Sequence, residues 1–210
     1  MARTLSRTLI VLLVATTTPR AAFAQSTPSA QPTPSSDNLT AQDRDVLAAA
    51  EQLASNSSQV IEQWITSQVT TEDRVFARLY FPIAKTDPQK YSTPYDALAE
   101  RDIVGLEDKV LVRAPTIQYA VLTDSNGYIP AHNSRFAQPL TGNTAQDYVN
   151  NRSKRILGDV ASLLAARSEV RYLLQRTRLD TGDVVYDLSV PVVVRGKHWG
   201  CARIGYRRTE

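Results

Sequence analysis

The sequence predicts an α+β fold: a five-stranded antiparallel sheet with helices flanking one face and a long helix at the N-terminal side. Three observations predict it. Between Thr40 and about Arg113 the apolar residues recur at helical spacing. After Pro115 the period changes to the alternation of strands. The last third of the chain is three strand-like runs separated by short Gly-containing turns.

Taken in order, "MARTLSR" is basic, "TLIVLLVATTT" is apolar, and "AFA" before Gln25 offers small residues at the −3 and −1 positions. That pattern reads as a signal peptide over residues 1–24, because the apolar run is too short to span a bilayer. The expected location is periplasmic or secreted. Residues 25–39 are rich in Pro, Ser, Thr and Gln and read as a disordered linker. Thr40 with Asp43 forms a capping pair, and Val46, Leu47, Ala50, Leu53, Ala54, Ile61, Trp64 and Ile65 follow at helical spacing. A long helix is therefore expected over 40–70, weakened in its middle by Asn56-Ser57-Ser58.

The remaining residues, 71–210, read as one domain. Thr70 with Asp73 signals a second start, so "VFARLYFPI" is expected to be a short helix stopped by Pro82. Thr93-Pro94 opens a third helix running to about Arg113. "TIQYAVLTD" and "YIPAHN" are strands joined by the "SNG" turn, and Pro130 places the second of them at an edge or a bulge. Two helices follow, "AQDYVNNRSKRIL", with Thr144 and Asp147 at its start, and "VASLLAARSE" behind Asp159. The strands "VRYLLQRTRLD", "DVVYDLSVPVVV" and "KHWGCARIGY", with turns at Thr181-Gly182 and Arg195-Gly196, close the chain as a meander.

Charge and cysteine content narrow the function classes. The leader carries Arg3, Arg7 and Arg20 and no acid, so without it the 24 basic residues fall to 21, level with the 21 acidic ones. A nucleic-acid partner thereby loses its support. Residues 25–110 hold 13 acids and 7 bases, while 111–210 hold 8 acids and 14 bases. The basic half suits a carboxylate or phosphate ligand, or attraction between the two halves. Cys201 is the one cysteine, which excludes an internal disulfide and reads as a small buried residue.

Several segments are familiar as a set: "FPIAKTDPQKYSTPYDAL", "DSNGYIPAHNSRFAQPLTG", "NNRSKRIL", "LAARS", "YLLQRTRLDTGDVVYDLSVPVVVRGKHWG" and "RIGY". Together they resemble a Cache/PAS-like sensory domain of bacterial methyl-accepting chemotaxis proteins, over most of residues 70–206. The resemblance implies a ligand-sensing domain whose first strand is central in a five-stranded sheet. The chain departs from those receptors in its signal peptide and in lacking a long signalling coiled coil. Ligand recognition passed to a partner is what the resemblance then implies.

The candidate site residues divide between two readings each. His132 and Asn133, thrown out of the strand by Pro130, form a binding wall or satisfy loop backbone groups. In "NNRSKR" either Arg152 or Arg155 turns a guanidinium toward the sheet, Arg152 being favoured by its helix flank with Val149 and Ile156, or the run is a solvated basic face. Asp187, on a mostly apolar strand, meets a ligand ammonium group or an arginine such as Arg203. Tyr119 and Tyr172 give an aromatic floor or simply core. Trp199 reads as core and His198 as a hairpin cap. With two histidines, one cysteine, and no HExxH, CxxC or GxSxG pattern, neither a metal site nor a hydrolase is indicated. No cofactor and no catalysis are expected. The expected partners are a small polar metabolite and a membrane receptor or second copy met through the long helix. The alternative is an adaptor that binds no ligand and acts through that helix.

Overall fold

Thr40 opens the first helix as its capping pair predicts. Its hydroxyl accepts the Asp43 N–H (3.1 Å), and the Asp43 carboxylate accepts the Thr40 N–H (2.7 Å). The computed structural model describes residues 39–178 and 182–209. The expected signal peptide, all of the linker except Leu39, and Thr181 of one turn lie outside the described residues. Helix α1 (Ala41–Thr66) is unbroken, about 39 Å long at 1.5 Å per residue. Every apolar position named from its spacing is buried. The Asn56-Ser57-Ser58 stretch does not break it. Ser57 is fully buried there, and the Ser58 hydroxyl donates to the Val193 carbonyl.

Downstream, the expected helices are shorter. Helix α2 (Glu72–Val75) is capped by Thr71, not Thr70, and "FPI" is strand β1 (Phe81–Ile83), paired with β2 (Lys90–Ser92). Long polar side chains explain the early exit from helix. Arg78 donates to the Trp199 carbonyl (2.7 Å) and the Tyr80 hydroxyl to Asp124 (2.7 Å), which draws this stretch out along the sheet. The single helix expected to Arg113 is two, α3 (Asp96–Asp102) and α4 (Val104–Leu111). Ile103, Val104 and Gly105, weak helix formers, sit at the break.

The remaining elements are β3 (Ile117–Asp124), β4 (Tyr128–Ile129), a 3₁₀ turn (Ser134–Phe136), α5 (Thr144–Asn150), β5 (Arg155–Ile156), α6 (Val160–Arg167), β6 (Leu173–Arg178), β7 (Val184–Val194) and β8 (Lys197–Tyr206). The chain is thus mixed α+β with antiparallel pairing, and its main sheet has four strands in the order β3-β8-β7-β6. The expected meander is present, and Arg195 and Gly196, both at positive φ, make the β7–β8 turn.

The fifth strand is not in that sheet, and β3 is an edge strand, not a central one. Asn126-Gly127 does turn the chain, with the Gly127 N–H on the Asp124 carbonyl (2.8 Å). But the Asp124 side chain then takes the N–H groups of Asn126 (2.9 Å) and Tyr128 (3.0 Å), where a hairpin would have taken them for its ladder. β4 pairs instead with β5, extended by Leu157 N–H to Gly127 C=O (2.9 Å) and Lys154 N–H to Ile129 C=O (2.7 Å). Gly127 is required there, since a Cβ would collide with the Leu157 carbonyl. Pro130 ends the short ladder.

β3's open edge is closed by side chains. Glu107 accepts the Leu122 N–H (2.9 Å), and Asn133 donates through Nδ2 to the Ala120 carbonyl (2.9 Å). One sheet face, carrying Ala120, Leu122, Leu188, Val190, Val192, Ala202 and Ile204, packs with α1 in the main core.

Candidate functional site

Strand alternation sends Tyr119 and Val121 of β3, Asp187 and Ser189 of β7, and Arg203 of β8 to the face away from α1. Register brings three of them together. Asp187 pairs with Gly205, and Ser189 with Arg203, so Asp187 and Arg203 are diagonal neighbours on that face. Arg203 holds the carboxylate through Nε (3.0 Å) and Nη2. From the far side of β8, the Tyr119 hydroxyl donates to Asp187 Oδ2 (2.6 Å). Its ring crosses β8 over Gly205, where a Cβ would strike it. Glycine at 205 is what lets the three side chains meet. Burial disfavours the Arg203 charge, but the Asp187 carboxylate more than offsets this, so the guanidinium stays protonated. Burial and the same carboxylate push the Tyr119 phenol up, leaving it a neutral donor.

A cavity of roughly 540 Å³ opens over this group. Its floor is Tyr119, Val121 and Arg203, with Thr177 and Arg178 from β6. Its cover is Tyr148 of α5, Ser162 of α6, His132, and the stretch between those helices, including Arg152, Arg155, Ile156 and Asp159. The covering stretch is extended, which corrects the expected helix over "AQDYVNNRSKRIL". Helix α5 ends at Asn150; Asn151 adopts φ −127° and ψ 97°, and the Arg152 N–H goes to the Phe136 carbonyl (2.7 Å). Lys90 fixes it from below, its ammonium donating to Asn151 Oδ1 (2.6 Å) and to the carbonyls of Asn151 (3.2 Å) and Ser153 (2.7 Å). Burial, then the nearby Arg155 and Lys154 charges, pushes Lys90 down to about 8.

Polar groups converge on the cavity with defined states. His132 is 3% exposed and meets the Phe136 ring edge-on at 5.1 Å. Burial, aided by the Arg152 charge, pushes its imidazole down to about 3, so it is neutral at physiological pH. Arg152 stacks over the Phe136 ring (4.9 Å to the ring centre), and Arg155 over that of Tyr148 (4.2 Å). Asp159 caps α6 by accepting the Ser162 N–H (3.0 Å). Burial works against its charge, but the Ser162 bonds and the Arg203 charge win and hold the carboxyl below its ordinary value.

Of the six residues singled out from sequence, Tyr119, His132 and Arg152 line this cavity, and Asp187 lies directly behind it on Tyr119 and Arg203. Arg152 arrives from an extended segment, so the helix-flank reasoning that selected it does not hold. Asn133 does not line the cavity: it is fully buried with its amide on β3. Tyr172 lies elsewhere too, half-buried against the α1-side core. Trp199 is core, donating to the Val75 carbonyl (3.1 Å), and His198 bonds the Ala166 carbonyl (2.8 Å), not its own hairpin. Arg155, the other arginine of the Arg152 run, lines the cavity as well, and Tyr148, Asp159, Ser162, Thr177 and Arg178 join it without a sequence reading that pointed to the site. Their one local signal was the run of cations in "NNRSKR", whose contacts depend on pairing with β4.

Among the described residues there is no group of three or more His, Cys, Asp or Glu placed to hold a metal ion, and no helix long and apolar enough to cross a membrane. Compared with models of known protein families the chain matches none, and a search of curated proteins likewise finds no match.

Proposed function

We propose that this chain is an exported, non-enzymatic sensory domain of the Cache/PAS-like kind that binds a small polar metabolite between its sheet and the covering segment. The observation that carries this reading is the roughly 540 Å³ cavity, within the range of small-molecule sites, opening onto a buried Tyr119–Asp187–Arg203 group. Polar side chains that converge on a concave space are what solute recognition requires. The sequence resemblance and the antiparallel order of the four strands support the same reading. Binding is passed on, in chemotaxis-type signalling, through a membrane receptor or a second copy that α1 contacts.

The test is a thermal-shift screen of amino acids, amines, carboxylates and purines, repeated with His132→Ala and Arg152→Ala. A stabilising compound whose effect both variants weaken is the expected result. A hit unaffected by either variant places the site elsewhere, and a panel that shifts nothing favours the adaptor reading.

A further inference from the structure

We propose that the solute of this cavity is a small organic anion whose carboxylate or phosphate oxygens take the open edge of Arg203. This rests on the solute-binding reading above and names its ligand class. Arg203 is 4% exposed and spends Nε and Nη2 on Asp187, while Nη1 has no acceptor among the described residues. Buried polar groups are normally satisfied, and a buried guanidinium donor most of all. Arg203 lines the cavity, and the Nη1–Nη2 edge that Asp187 leaves over is shaped for two oxygens of one oxyanion.

The rest of the lining agrees in sign. Among the described residues, Arg152, Arg155 and Arg178 bring three further guanidinium groups to the cavity lining, which holds one carboxylate, Asp159. Setting Arg152 aside, since it has partners of its own, three cations stand beside two acids among the described residues, Asp187 behind the floor included. A cationic solute enters against that excess, and a neutral one leaves it unbalanced. Asp159 offsets part of it at a distance, but its carboxylate accepts the Ser162 N–H and makes no hydrogen bond to Arg203. Tyr119 and Val121 beside Arg203, with Ile156 in the cover, give a short carbon skeleton an apolar surface, and the volume limits the solute to metabolite size.

The test uses the full chain and probes matched for shape: succinate against succinamide, glycerol 3-phosphate against glycerol, putrescine as a cation, and a sodium chloride series. Titration calorimetry and thermal shift are the readouts. One or both organic anions are expected to bind, each at least about tenfold tighter than its neutral counterpart, as a charge-assisted pair requires. The tighter of the two separates carboxylate from phosphate recognition. Arg203→Lys keeps a cation on Asp187 but removes the second edge, and is expected to weaken the anion about tenfold or more. Should that variant not fold, succinate against succinamide on the unaltered protein decides. Equal binding of the neutral counterparts, or a shift that chloride alone reproduces in full, overturns the assignment. If neutral or cationic members of the wider panel bind while no anion does, solute binding survives and the anion assignment falls. If nothing binds, both fall.

Discussion

The two faces of the four-stranded sheet are made by the same strands and differ by a single step of alternation. On the α1 side, Leu188, Val190, Ala202 and Ile204 meet a helix whose apolar stripe runs from Val46 to Ile65 and pack with it into one core. On the other side, Asp187 and Arg203 stand one residue away, buried equally deeply, and the space above them is open. The contrast teaches what each face is for. Apolar burial on the α1 side stabilises at about 25 cal/mol per Å². A buried ion pair returns little net stability, and well-packed apolar residues of similar volume often serve as well. A charged pair facing a cavity therefore points to recognition on that side, while stability comes from the other.

That division can be broken most severely at the pair itself. Arg203→Met strips Asp187 of its counter-ion and should cost about 3–5 kcal/mol in urea unfolding. Adding Asp187→Leu should restore most of the loss, while leaving a protein that no longer binds its solute. If the double variant is as unstable as the single one, the pair is structural and the contrast fails. On the opposite face, Leu53→Ala should cost about 2–5 kcal/mol through the cavity it leaves, yet calorimetry on the folded fraction should find affinity unchanged.

Gly205→Ala sharpens the comparison, because Gly205 lies on the charged face but binds nothing. Its new methyl must displace the Tyr119 ring and break the bond to Asp187, at about 1–3 kcal/mol. Tyr119→Ala in the same chain should relieve part of that cost, which a double-mutant cycle measures.

The smallest effect is on pH dependence. His132 is held neutral in the fold, with its pKa pushed down to about 3, and it takes up a proton near 6.5 when unfolded. The unfolded state thus binds more protons across that window, so the contribution is complete above 6.5 and is lost as pH falls toward 3. Between pH 6.5 and 5 this group alone should lower wild-type stability by about 1–2 kcal/mol, against an opposite trend from Glu107, whose carboxyl burial pushes well up. His132→Gln should flatten that slope in urea melts at the two pH values.

The sequence made some of this legible and hid the rest for identifiable reasons. Helix α1 was readable residue by residue because capping and 3.6-residue periodicity are local, and so was the β6–β7–β8 meander. The alternation in "YDLSVPVVV" correctly separated Asp187 and Ser189 from the apolar face, and Arg203 was named among its partners. What failed was long-range. Asn126-Gly127 is a good turn, yet nothing local says that the Asp124 side chain will take the Tyr128 N–H and hand β4 to β5. From that one event follow the missing fifth strand, the edge position of β3, and the use of Asn133 to close that edge. The same pairing turned "NNRSKRIL" from helix to extended cover, so helical spacing is the wrong reason for choosing between Arg152 and Arg155, both of which line the cavity, and Asp159 is legible only as the cap of α6.

Solute binding on the charged face alone is put to the test by amide shift mapping with the strongest compound from the screen. Resonances of Tyr119, Thr177 and Arg203 should move, with those of Leu47, Leu53 and Ile61 staying in place. Shifts concentrated along α1 instead, or none at Arg203 under saturating compound, would contradict it.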